Sequence, residues 1–271
     1  MAENEKILHA NPIKSVREAA EEAASQYPSD RDKQIEAMKE ALAAKLKIQT
    51  DEYKKQAVQR TIMAQKKKPE VAEALTDPVI PTIPPYPWWD ILIYGPFQPP
   101  ATTPAGPFLA HKIFVPNEVA FCFVAAWLNP APINWFPPGP SAADMMNALN
   151  MRINFPVINL VTATPGPPIP SINWAPLNSF GPFPWLKIGV VQLGNNVFPM
   201  PGQGNPVLYE MNVTADVTGP APVPFAGFCT WVFDPDLEPA VFPPVFPPIN
   251  VPQAGPHWQF EIPMRFMTYF R

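Results

Sequence analysis

PVLYEMNVTADV, residues 206–217, sets Val207, Tyr209, Met211, Val213, Ala215 and Val217 on one parity and Glu210, Asn212, Thr214 and Asp216 on the other. Side chains of an extended chain alternate between faces, so the segment predicts a strand with one side in a core and the other in water. HWQFEIPMRFMTYF, residues 257–270, repeats the pattern. Trp258, Phe260, Ile262, Met264, Phe266 and Phe270 share a face, while His257, Gln259, Glu261, Arg265 and Tyr269 share its reverse. Pro263 falls on that reverse face and marks an edge or a bulge, because it has no N–H to donate to a ladder.

Outward from these two strands, apolar segments at 89–94, 109–115, 118–128, 151–160, 186–193 and 227–233 are separated by Pro, Gly and Asn clusters. Eight short strands punctuated in this way predict a mainly β fold, an antiparallel two-sheet sandwich of jelly-roll-like type with Pro-rich loops. Loops such as 137–140 (PPGP) and 243–248 (PPVFPP) are stiffened by proline. Ser141-Ala142-Ala143-Asp144 ahead of MMNAL reads as a capped short helix within one connection.

The N-terminal part obeys different physics. Residues 1–80 carry 14 Lys/Arg and 14 Asp/Glu, against 5 and 9 in residues 81–271; they hold 4 of the 42 prolines, and every Trp and Phe lies beyond residue 87. The expected organisation is a charged helical arm over 1–76, a linker over 77–87 and a β domain over 88–271. Ser15-Val16-Arg17-Glu18 fits a capping box opening a helix at about 15–27, and a second pattern runs over 31–68 without Gly or Pro until Pro69. On it Ile35, Met38, Leu42, Leu46, Tyr53 and Ala57 recur with summed spacings of eleven, which holds one apolar stripe on a nearly straight helix. Such a stripe needs a partner. Two partners fit, the chain's own β domain or another subunit, and the second is the reading favoured here. On that reading, removing residues 1–76 leaves a folded β domain with impaired assembly.

In the linker, Pro78, Pro81 and Pro84 recur every third residue, matching the turn of a stiff polyproline II helix, or a docking motif for an SH3-like or WW-like partner. Lys66-Lys67-Lys68 ends the long helix, where cations complement the macrodipole; the arm's zero net charge argues against nucleic acid as a partner. No apolar run is long enough to span a bilayer, and the first residues lack a secretion-signal pattern, so the expectation is a cytoplasmic protein or a particle assembled there.

Little points to chemistry. The three histidines, His9, His111 and His257, are too few for a multi-histidine metal site, and no GxSxG, HExxH, phosphate loop or CxxC is present. Neither an enzyme nor a cofactor is expected. Cys122 and Cys229 read as buried thiols, with a disulfide as the alternative. Asp234, Asp236 and Glu238 form an acidic turn, read as solvated or as oxygen ligands for an ion. Asn212-Val213-Thr214 matches a glycosylation sequon in mid-strand.

What stands out is the scarcity of charge. A body of about 21 kDa exposes on the order of 9,000 Å², yet residues 81–271 supply just 5 basic and 9 acidic side chains. Large faces must be nearly uncharged, as subunit contacts require. The expectation is a self-assembling structural subunit of a shell, sheath, filament or surface array, whose partner is the chain itself. Its contacts are expected at Ile35, Met38, Leu42, Leu46, Tyr53, Ala57, Trp88 and Trp89. The alternative is a sandwich module that binds carbohydrate or another small ligand on Trp88, Trp89, Trp135, Trp174 or Trp185, and a third reading is an adaptor working through Pro-rich loops.

Overall fold

The two segments richest in consecutive apolar residues, WDILIYGPFQ and FCFVAAWL, form β1 (Trp89–Gln98) and β4 (Phe121–Leu128), which pair antiparallel along nearly their whole length. A strand wetted on one side alternates; these do not, because both of their faces are covered. Ile91, Ile93, Cys122, Val124, Ala126 and Leu128 enter one core, and Leu92, Tyr94, Phe121, Phe123, Ala125 and Trp127 enter a second on the opposite side. The computed structural model describes residues 14–66, 89–100, 105–132, 139–177, 183–219, 226–236 and 263–270. The expected linker, Trp88, Trp135, His9, His257 and Glu238 lie outside the described residues.

β9 (Leu186–Gln192) extends the central sheet beyond β4, and β13 (Thr230–Val232) joins β1 in parallel, giving the order β13-β1-β4-β9 with β2 (Leu109–Ala110) also on β1. Opposite lie two outer sheets. One is β3-β14-β10-β6-β7, formed by β3 (Ile113–Phe114), β14 (Met264–Thr268), β10 (Val207–Met211), β6 (Val157–Asn159) and β7 (Thr164–Pro165). The other is β12-β11-β5-β8, formed by β12 (Ala226–Phe228), β11 (Thr214–Thr218), β5 (Asn150–Asn154) and β8 (Ile172–Trp174).

The outer sheets are linked through one bent antiparallel ladder between chain segments distant in sequence. Residues 206–217 pass from β10 into β11, and their partner strand passes from β6 into β5 at Pro156, whose carbonyl accepts from Asn212 N at 3.0 Å. The expected parity holds across the bend: Tyr209, Met211, Val213, Ala215 and Val217 are buried in the core shared with the central sheet. Met264 and Phe266 join them and Arg265 points out, whereas Phe270, expected inside, is 47% exposed because β14 ends at Thr268. The fold is mainly β and sandwich-like, with antiparallel ladders except for the pairs β1–β13 and β14–β3 among the described residues.

Both N-terminal helices form as expected. α1 (Val16–Gln26) opens on a complete capping box, with Ser15 Oγ accepting from Glu18 N and the Glu18 carboxylate from Ser15 N; α2 spans Arg31–Lys66. The Ser141 box forms too, opening α3 (Ala142–Met146). The helices do not project as an arm. Ile35, Met38, Leu42 and Leu46 are buried against Tyr94, Phe97, Phe121, Phe123 and Trp127 on the outward face of the central sheet. The molecule is therefore layered helix on sheet on sheet. Gln34 fixes the start of α2, its Nε2 donating to the carbonyls of Tyr27 and Ala105 at 2.7 and 2.9 Å. Gly106 has φ +115°, and a Cβ there would lie 2.7 Å from Gln34 Oε1, so both backbone and space demand glycine.

Leu42→Ala is expected to cost about 2–5 kcal/mol in urea unfolding, the range for opening a cavity in a packed core; a stripe waiting for another subunit would lose less than about 0.5 kcal/mol. Truncation gives a second readout. Removing residues 1–76 uncovers a five-ring patch of Tyr94, Phe97, Phe121, Phe123 and Trp127, so the shortened chain is expected to be insoluble or to bind a hydrophobic dye strongly, not to fold cleanly.

Candidate functional site

Three regions gather polar or unusual groups: the seam where helices meet body, the buried sulfurs, and the outward faces of the outer sheets.

At the seam, α2 is held by polar bonds as well as apolar packing. Thr50, fully buried, donates its hydroxyl to Leu46 O at 2.8 Å and accepts from Trp127 Nε1 at 3.1 Å. Tyr53 is half-buried, sets its ring edge-on to Trp127 at 5.7 Å and accepts at its hydroxyl from Asn129 Nδ2 at 3.2 Å. Sequence reading put Ile35, Met38, Leu42, Leu46 and Tyr53 on a subunit contact; instead the chain's own central sheet covers them, α2 packing on the Tyr94, Phe97, Phe121, Phe123 and Trp127 side of β1 and β4. Ala57 lies on α2 with its side chain outside the described set.

The acidic turn finds its role here. Asp236 accepts from Val16 N at 3.1 Å and Arg17 N at 2.8 Å, so a carboxylate distant in sequence supplements the local cap where the helix dipole favours negative charge. Lys45 of α2 pairs with the same carboxylate at 3.4 Å and also donates to Pro235 O. Asp234 orders the turn, its Oδ1 accepting from Asp236 N at 2.9 Å. One turn thus pins both helices to β13. The reading of it as solvated gives way to that of a clamp, and among the described residues no group of three or more His, Cys, Asp or Glu is placed to hold a metal ion.

Beside the clamp is a crevice floored by Met38, Phe97 and Phe108 and rimmed by His111, Arg17 and Asp234. Burial lowers the His111 pKa below the usual imidazole value.

Cys122 and Cys229 are free and buried, and burial pushes both thiols well up from their ordinary pKa. Cys122 Sγ lies 3.8 Å from Met264 Sδ, a packing contact. The thiols pack as small apolar groups in the sandwich core.

Tryptophans form no open platform among the described residues. Trp174 is buried; Trp89 and Trp231 pack against the inner core, with Trp89 lying over Gly227, whose missing Cβ leaves room for it. Trp185 is half-buried and stacked on Phe183, centroids 5.1 Å apart.

The outward faces of the two outer sheets differ sharply. On β11 and β5, Asn154 Nδ2 donates to Asp216 Oδ2 at 2.8 Å and accepts at Oδ1 from Ser171 Oγ at 3.1 Å, a polar surface interrupted by exposed Phe228. On the other half, the ladders place Ile113, Met267 and Leu208 side by side, and the bond from Leu160 N to Leu208 O continues that row. Ile113 and Leu160 at its ends are 51% and 38% exposed. Sequence reading missed this row. Its signal was present in the breaks of the pattern: Leu208 and Met267 occupy parities where their neighbours Glu210 and Arg265 are charged.

Compared with known proteins, the chain matches no family model, no curated sequence and no solved structure. No helix among the described residues is long and apolar enough to cross a membrane.

Asp236→Ala removes the carboxylate acceptor of two backbone N–H groups and the partner of Lys45. It is expected to lower stability by about 1–2 kcal/mol, the scale of a lost cap, in urea unfolding followed by helical circular dichroism. The exposed control Glu40→Ala is expected to stay within about 0.5 kcal/mol of the parent.

Proposed function

We propose that the protein is a self-assembling structural subunit, and that its contacts are made by a face of the β body. The observation that carries this reading is the contrast between the two halves of the bent outer sheet: one outward face is hydrogen-bonded for water, and the other carries an apolar row across three strands and the residue following a fourth. A fold that has already covered its central sheet twice does not need this row for its own core. Exposed contiguous apolar surface in a charge-poor body marks a site of association.

The arm contributes differently from the expectation. Its apolar stripe is occupied within the chain, so α2 stiffens the subunit and presents Lys39, Glu40, Lys47 and Asp51 outward, with ion pairs Lys39–Glu36 at 3.0 Å and Lys47–Asp51 at 2.7 Å. Such a charged surface keeps one side of the subunit soluble while the opposite side associates. The two sides of the layered fold then have opposite tendencies, as a unit of a sheet, shell or filament needs.

Size-exclusion chromatography with light scattering on the intact protein is expected to give a mass of at least twice 30.1 kDa at tens of micromolar. A mass of one chain across that range overturns the proposal.

A further inference from the structure

Resting on that reading, we infer that the contact is a two-fold one between the outward faces of β3-β14-β10-β6-β7 in two copies of this chain, with Arg265 of each copy against Glu210 of the other.

The ladder fixes two adjacent rows on this face. The first is Ile113 on β3, Met267 on β14, Leu208 on β10 and Leu160 beyond β6. The second places Arg265 on β14 opposite Glu210 on β10, and Glu210 in turn opposite Ile158 on β6. Adjacent strands are about 4.8 Å apart, so the apolar row is about 14 Å long, with its midpoint between β14 and β10. A two-fold axis lying in the interface, running along the strands through that midpoint, reverses the order of strands in the second copy. Met267 then meets Leu208 of the second copy, and Ile113 meets its Leu160. Arg265 meets Glu210 and Glu210 meets Arg265, because these residues straddle the same midpoint. The arrangement alternates in sign around four charges, so the face is electrostatically complementary to itself under this rotation and to no simple translation of itself.

The ends of the row fit the same operation. At the β6 end, the turn into β7 carries Val161, 65% exposed and held out by Asn159 Oδ1, which accepts from Val161 N at 2.9 Å and Thr162 N at 3.3 Å. At the β3 end, Ile113, Pro206, Met267 and Phe270 line an open apolar hollow. The rotation sets the projection of each copy over the hollow of the other. Within one copy Arg265 Nε already reaches Glu210 Oε2 at 2.9 Å, with Arg265 59% exposed and Glu210 16%, so both charges are in place before association.

The experiment uses the full chain by sedimentation velocity and native mass spectrometry. Glu210→Arg gives a face with basic groups at both positions, and Arg265→Glu one with acidic groups at both. Each variant alone is expected to self-associate at least about tenfold more weakly than the parent, and an equimolar mixture is expected to form the heterodimer with affinity restored. Leu208→Lys, at a partly exposed site that leaves the core intact, is expected to abolish association while circular dichroism and the unfolding midpoint stay near the parent's. If the parent associates and these variants associate as well, or the mixture gives no heterodimer, the two-fold face is wrong and self-assembly stands on another surface. A parent that is itself monomeric overturns both.

Discussion

The seating of α2 on the outward face of β1 and β4 is the contact on which the remaining architecture depends. Those strands are apolar on both parities, so the central sheet has no side that water can wet. One side is closed by the outer sheets and the other by the helical layer. That second closure is anchored in part by Trp127, packed against Tyr53 and hydrogen-bonded to Thr50, with Leu42 and Met38 further along the helix. Apolar burial is non-directional; the bonds from Trp127 and Asn129 to Thr50 and Tyr53 set the position of the helix along the sheet.

Charge is scarce in the body, and its placement is correspondingly informative. Asp236 is spent on the helix start and Lys45. Asp216 supports the polar network on one outer sheet, and Glu210 with Arg265 sits beside the apolar row on the other. Asp236 thus acts at the boundary between layers, Asp216 on a wet face, and Glu210 with Arg265 beside an apolar row. Among the described residues, Ile113, Ile158, Leu160 and Phe270 are exposed on or beside one half-sheet, and Phe228 on the other.

Much of the local structure was readable from particular residues. The capping boxes at Ser15 and Ser141 are complete within four residues, and the strand parity of 206–217 survives even a bend at Asn212. The misreadings share a cause. Ile113 and Phe114 pair with a strand some 150 positions later, so 109–115 splits into β2 and β3 where one strand was expected, and residues 151–160 divide at Pro156 for a similar reason. The short strands β7 and β8 have no pattern of their own and exist because β6 and β5 offer an edge. The parallel pair β1–β13 is likewise invisible to local patterning.

What the sequence by itself determined is periodicity: which residues face together on α2, on β10 and β11, and on both sides of β4. That follows from the backbone's fixed geometry of 3.6 residues per helical turn and two per strand repeat. It also determined that α2 had to be covered by something. The tertiary structure alone decided what covers it, and with that whether 206–217 presents a wet outer face or, at Leu208, an apolar one. Those outcomes depend on contacts between residues tens to hundreds of positions apart, where an apolar stripe accepts any surface of suitable shape, and only the closed chain shows which surface came first.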